Sequence, residues 1–302
     1  MSLLVVGSIA LDTLRMPGGK IYKNVAGGSC TYFIHSASFF NRVRVVGVVG
    51  EDFPAKYIDG FKKCKADLTG LKILPGETFQ WHGTYHKDMN NRDTDALHFG
   101  VLGAFDPALP QKYLDSKFIF LACSQPHLQA KVLDQVQGNP FAVIDTIEVY
   151  IQNGRKELDR VIRRCQGLIV NETEARMMTG EDNLVKCAAD LHKKYKLQFV
   201  VLKKGEHGGF LVDKQGIAPF PAFPLAKIAD PTGAGDCFAG GFMGTLAKAG
   251  KTDAKTLRQA VVNATAVASY ACEGVALSGL TKTTPAQVRA RANAFAKMTR
   301  LG

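Results

Sequence analysis

Residues 229–244 read Ala-Asp-Pro-Thr-Gly-Ala-Gly-Asp-Cys-Phe-Ala-Gly-Gly-Phe-Met-Gly, and this stretch decides how the whole chain is read. Gly233, Ala234 and Gly235 stand directly before Asp236, and an apolar run with helical spacing follows. Glycines there let the backbone turn sharply and present consecutive N–H groups. A helix starting at that point adds its own unpaired N–H groups and its positive dipole end. The product is a small anion hole with a carboxylate at its lip. A reaction that gathers negative charge while a hydroxyl loses its proton needs both parts, and phosphoryl transfer to an alcohol is such a reaction. A Gly-x-Gly before a helix is often no more than a tight turn, and no Lys-Ser or Lys-Thr follows to make a Walker A loop. The surroundings of the stretch therefore matter.

Working outward, short apolar runs at 3–6, 43–49, 118–121, 141–144, 167–170 and 199–202 read as buried strands. Helical patterns at 29–40, 129–137, 156–164, 172–179 and 184–194 alternate with them. The alternation predicts an α/β fold, a doubly wound and mostly parallel sheet flanked by helices. Ligands of such sheets bind at the carboxyl ends of the strands. Asp12, Asp145, Asn171 and Lys203 each fall just past a predicted strand end. Segments 20–25, 78–85 and 96–99 break the rhythm with short alternating patterns, which suggest a small antiparallel sheet. We expect a single domain over 1–302, with lid segments at about 13–25 and 77–100 inserted in it. Such a lid could close over a cleft and exclude water; the alternative is an edge hairpin of no special role.

The 302 residues are 46% hydrophobic and 22% charged, an ordinary globular composition with room for a large core. A formal net charge of +11 favours anionic ligands. The basic residues are scattered rather than gathered in a stripe with interleaved aromatics, which argues against nucleic acid as a partner. Seven cysteines (30, 64, 123, 165, 187, 237 and 272) lack metal-ligand spacing. Their odd number without a secretory signal points to a reducing, cytoplasmic setting. The opening apolar run 3–11 is too short to span a membrane, and no membrane partner is expected.

Four stretches, Gly7-Ser-Ile-Ala-Leu-Asp12, Ala26-Gly27-Gly28, Asn171-Glu172-Thr173-Glu174 and Asp230 to Gly241, together resemble the ribokinase-like (PfkB) family of carbohydrate and nucleoside kinases. The resemblance runs almost the full length, and the order and spacing of the last two stretches match the family. It implies a ribokinase-like fold with a small β lid. It also implies an ATP-dependent kinase that transfers the γ-phosphoryl group to a hydroxymethyl group of a sugar. The alternative is a nucleoside kinase of the same family with an adenosine-type acceptor.

The resemblance makes Asp236 the general base, with the backbone N–H groups of Gly233, Ala234, Gly235 and Asp236 facing the transferring phosphoryl group. Asn171 and Glu174 match the N-x-x-E element, which organises Mg2+ and its waters beside the donor phosphates. Glu174 also fits a capping box, and the two roles are compatible. Lys203, Gly205 and Gly208 lie in a segment that resembles the nucleotide-binding turn, with lysines where many relatives have uncharged residues. Residues 263–279 fall where the adenine pocket is usually built, which makes Asn263 and Gly274 candidates. Asp230 and Thr232 match positions that bind a monovalent cation, K+, in some relatives.

For the acceptor, Asp12, Gly27 and Gly28 carry over best. A carboxylate can accept bonds from two hydroxyls, and glycines let a polyol ring approach the backbone. Ribokinases continue after the two glycines with a lysine and, three residues on, an asparagine. Here Ser29 and Tyr32 stand instead, a departure that sets ribose itself in doubt. Tyr32, Trp81 and Phe99 could form an aromatic wall against a sugar face or a nucleobase, or could pack in the core and lid. His82 and His98 read as lid-surface residues. Relatives often form homodimers through the lid sheet, which the alternating segments permit. A binding protein that has lost catalysis is the reading from another class, and the intact Asp236, Asn171 and Glu174 argue against it.

Overall fold

A computed structural model describes residues 1–300. In chain order the strands are β1 (Leu3–Val6), β2 (Ala10–Arg15), β3 (Ile21–Gly27), β4 (Val43–Gly50), β5 (Asp67–Leu74), β6 (Gln80–Tyr85) and β7 (Arg92–His98). They continue with β8 (Phe118–Leu121), β9 (Phe141–Ile144), β10 (Gly167–Asn171), β11 (Phe199–Lys203), β12 (Gly209–Asp213) and β13 (Gly216–Phe220). The apolar runs fold as strands because each side chain, on whichever face it points, finds cover. Leu3 and Val5 enter one hydrophobic cluster and Leu4 and Val6 the other, one on each side of the sheet.

The main sheet has nine strands in the order β13-β12-β11-β10-β9-β8-β1-β4-β5. From β11 to β5 neighbouring strands run parallel, and β12 and β13 add an antiparallel hairpin at one edge. The chain builds outward from β1 in both directions, so a crevice opens at the carboxyl ends of the central strands. A second sheet of four strands, β3-β2-β6-β7, stands at that end. It is mixed: β2 pairs β3 antiparallel and β6 parallel, and β6 pairs β7 antiparallel.

One face of the main sheet is covered by the helices Ser29–Ala37, Ala234–Ala249 and Ala254–Cys272, which bring Phe33, Phe238, Phe242 and Leu257 onto Leu3, Val5 and Phe120. The small residues after Asp236 serve this packing. A Cβ at Gly240 would stand 2.0 Å from Ser36 Oγ, so only glycine lets these two helices lie so close. The opposite face is covered by the helices Arg155–Ile162 and Leu184–Tyr195, among others. Among the described residues no helix is long and apolar enough to cross a membrane.

Candidate active site

The helix Ala234–Ala249 begins at Gly233, whose φ of +72° lies in the left-handed region. A Cβ at Gly233 would stand 2.2 Å from the ring of Tyr32, so the bare backbone rests on that ring. Asp230 pins the loop from below. It accepts a 2.8 Å bond from the Thr232 N–H and a 2.7 Å bond from the Ala276 N–H. The second bond ties the segment containing Gly274 to the loop. The Thr232 hydroxyl shares a 2.7 Å bond with the phenol of Tyr85 in β6, which joins the small sheet to the same loop.

Asp236 lies in the first turn of the helix. Burial pushes its carboxyl up to about 6, against the charges of Lys203 and Arg92. Lys203 ends β11 and reaches over the loop, its Nζ 2.8 Å from where Gly235 would carry a Cβ. Asp145, just past β9, is buried with Oδ1 unpartnered, and burial together with the Asp236 charge holds its carboxyl well above the usual range. Glu174 closes a capping box. Its Oε2 accepts from the Asn171 N–H and its Oε1 from Asn171 Nδ2, both at 2.8 Å, while its own N–H donates to Asn171 Oδ1 at 2.9 Å. Burial pushes Glu174 up to about 7, opposed by Lys203. Three carboxylates thus face one ammonium.

Such a set suits a hard divalent cation. Among the described residues no three His, Cys, Asp or Glu side chains stand close enough to share one ion. An ion here would keep waters and phosphate oxygens in its shell, which is the habit of Mg2+.

Asp12, in β2, is 3% exposed and lies over Gly27, where a Cβ would stand 1.8 Å from Oδ2. Its other oxygen, Oδ1, is buried without a partner. Burial pushes this carboxyl up to about 8, with the charges of Asp230 and Asp236 adding to the effect. Gly28 has a φ of +85° and a backbone approach to Ser8 that no side chain would allow. The Trp81 backbone stands at the Asp12 carboxylate, and its indole lies across Gly83 and meets Tyr85 edge-on at 6.4 Å. Its Nε1 donates to Thr94 at 3.1 Å, and its cross-strand partner Leu97 is half exposed. The β6–β7 turn touches the segment after β11, where Asn90 Nδ2 donates to Glu206 at 3.1 Å. In that segment Gly205 and Gly208 have φ of +52° and +77°.

The structure therefore gathers Asp12, Gly27, Gly28, Asn171, Glu174, Lys203, Asp230, Thr232 and residues 233–236 at one end of the sheet. It does not bring Asn263 there. The Asn263 amide donates to Thr245 at 3.1 Å, and Thr245 lies about 16 Å along its helix from Ala234. The reason is direction: the helix Ala254–Cys272 runs back along Ala234–Ala249, and only its end, where the Cys272 carbonyl accepts from the Ala229 N–H, returns to the loop. The three aromatics do not form one wall. Tyr32 is 1% exposed beneath the loop, where the Asp12 charge still reaches its phenol. Phe99 packs on Phe79 at 5.9 Å, and Trp81 meets the Asp12 carboxylate through its backbone. His82 and His98 contact each other at 5.3 Å in the small sheet.

Tyr85 and Arg92 were missed in the sequence. Arg92 opens β7, and its charge reaches Asp236, Glu174 and Tyr85. No local pattern marks either residue, since their importance comes from where the small sheet stands.

A sequence model described as pfkB family carbohydrate kinase matches residues 3–283. The chain is 31% identical over 250 residues to a cytidine kinase of Thermococcus kodakarensis, covering 80% of this chain and 87% of that one. Its fold matches a nucleoside kinase of Burkholderia thailandensis in complex with inosine, with a TM-score of 0.76, 20% identity and coverage of 97% and 98%. It also matches a provisional ribokinase II of E. coli in complex with ATP and Mg2+, with a TM-score of 0.81, 18% identity and coverage of 97% and 99%. The fold is that of ribokinase, a mostly parallel sheet flanked by helices with a small second sheet. The chain belongs to the PfkB family of carbohydrate kinases and is a phosphotransferase with an alcohol group as acceptor.

Proposed function

We propose that this kinase phosphorylates the primary hydroxyl of a nucleoside, with ATP as donor and Mg2+ as cofactor. The observation that carries the acceptor is Trp81 beside the Asp12–Gly27 cradle. Asp12 suits the hydroxyls of a ribosyl group, while Trp81 and Leu97 offer the apolar surface that a nucleobase needs and a free sugar does not. The likeness to a cytidine kinase supports the same choice. Donation from substrate hydroxyls would supply the partner that Asp12 Oδ1 lacks and favour its ionised form. A free sugar is the second reading, favoured by the same polyol-binding cradle.

In this reading the four-stranded sheet is a lid on a single kinase domain, latched by the Tyr85–Thr232 and Asn90–Glu206 bonds. Its closure excludes the water that would otherwise hydrolyse the donor. The strands β3 and β7 are the edges of that sheet, and self-association is expected there. The donor lies along the ends of β10 and β11, held by Lys203, Gly205, Gly208 and Gly274. Asn171 and Glu174, with Asp145 close by, would hold Mg2+ through its waters. When bound, Mg2+ supplies positive charge to the donor phosphates. Asp230 and Thr232 are the candidates for a K+ site, and the setting is cytoplasmic.

Asp236 takes the proton of the acceptor hydroxyl as the new O–P bond forms and the bond to the leaving diphosphate breaks. The N–H groups of Gly233, Gly235 and Asp236 stabilise the oxygens of the group in transfer. The Ala234 N–H, expected from the sequence to join them, donates instead to the Pro231 carbonyl at 3.1 Å and closes the turn. The base must be ionised to act. Burial sets the free carboxyl of Asp12 at about 8 and that of Asp236 at about 6. We therefore expect kcat/KM to begin to fall below about 8 and to fall more steeply as pH drops through about 6, where ordinary aspartates would hold the rate to about 4. A rate that stays level down to about pH 4.5 would remove Asp236 from the role.

The acceptor is tested by measuring KM for a panel of nucleosides and free sugars with the native chain and with Trp81→Ala. Turnover with nucleosides, and a rise of about tenfold or more in their KM on losing the indole, is the expected result. Turnover confined to free sugars and unaffected by Trp81→Ala would overturn the nucleoside assignment.

A further inference from the structure

Lys203 ends the strand that faces the anion hole and Lys204 follows it, and the structure separates the two lysines. Lys204 turns aside and lays its ammonium over the ring of Phe210 at 4.5 Å. Lys203 is held by pairing on both sides, with Asn171 in β10 and Gly209 in β12, so its backbone cannot drift. Its side chain crosses to the loop, and Nζ rests against the bare face of Gly235. Any side chain at position 235 would occupy the place of the ammonium.

The charge of Lys203 is felt by Asp145, Glu174 and Asp236 together, yet it closes an ion pair with none of them. An ammonium shared among three acids is neutralised without being spent on one. It stands beside the backbone N–H groups of Gly233, Gly235 and Asp236, which favour an anion at the same point, while the Ala234 N–H is spent on the Pro231 carbonyl at 3.1 Å. A dianionic phosphoryl group arriving there would meet a cation already in place, with little reorganisation. Lysine suits the task as a compact point charge on a flexible stem, able to follow the group as it moves from donor to acceptor.

We propose that Lys203 is a catalytic residue whose ammonium binds the transferring phosphoryl group at the mouth of the 233–236 hole, so that it reads the third phosphate of the donor and not the first two. The proposal rests on the kinase reading above and assigns Lys203 a single partner within it.

The test is calorimetric binding of two Mg2+-loaded nucleotides, the β,γ-imido analogue of ATP and ADP, to the native chain and its variants. Lys203→Met should weaken the triphosphate analogue by about 10–100-fold and change ADP by less than about threefold. Lys203→Arg should recover part of the loss, and Lys204→Met should leave both affinities unchanged. Gly235→Ala is a second route to the same answer, since its methyl displaces the ammonium without removing it and meets only the flexible end of a side chain. It should lower the triphosphate-to-diphosphate ratio in the same direction. Equal loss of both nucleotides in Lys203→Met, or loss of neither, would overturn the assignment while leaving the kinase reading standing. A native chain that bound neither nucleotide would overturn both.

Discussion

Asp236→Asn is expected to fold, to bind Mg·ATP within a fewfold of the native chain, and to lose about 10²–10⁴ in kcat. The substitution keeps the size and the helix-start position of the side chain and removes its charge and its ability to accept a proton. The loop proposed to meet the donor is held by contacts independent of that carboxylate: the Asp230 bonds to Thr232 and Ala276, and the seat of Gly233 on Tyr32. Burial makes the native carboxylate costly, and the amide relieves that cost, so thermal stability should hold or rise slightly. The check is steady-state kinetics together with a melting curve. A variant with unchanged kcat would show that another group takes the proton.

Gly27→Ala should sharply weaken acceptor use while leaving donor binding alone. The new methyl would stand 1.8 Å from Asp12 Oδ2 and 2.2 Å from Cγ, so the carboxylate must leave its seat. A hydrogen bond to a charged group contributes about 1.5–3 kcal/mol, and Asp12 can accept from two substrate hydroxyls. We therefore expect kcat/KM for the acceptor to fall by about 10²–10³, with nucleotide affinity unchanged. Steady-state kinetics with the acceptor varied, set beside calorimetry with ADP, separates the two. Equal loss of nucleotide and acceptor would mean that the substitution has disturbed the sheet as a whole and not the cradle.

Much of the architecture was legible because it follows from local rules. Runs such as Phe118–Leu121 and Phe199–Leu202 are continuous apolar segments too short for helices, and they fold as the buried parallel strands that such runs suggest. The helix from Glu172 to Thr179 announces itself through the Asn171–Glu174 box, which forms in full. The hairpin of β12 and β13 was not foreseen. Its second strand carries Pro219, an unfavourable residue for a central strand that is tolerated here because β13 is an edge.

The site divides in the same way. Residues fixed by the backbone around them, Gly233 to Asp236 and Asn171 with Glu174, could be placed from sequence. Residues whose role depends on distant packing could not. Asn263 fell within the segment whose end reaches the loop, but the antiparallel course of its helix carries it away. Arg92 and Tyr85 reach the site only because β6 pairs with β2, a contact between segments about seventy residues apart that no local pattern reveals.

The most direct measurement is the initial rate of ADP release from Mg·ATP with a nucleoside and with a free sugar at equal concentration, for the native chain and Asp236→Asn side by side. The account predicts release with the nucleoside that exceeds release with the sugar and disappears in the variant. Release that favours the free sugar, or that survives in Asp236→Asn, would contradict it.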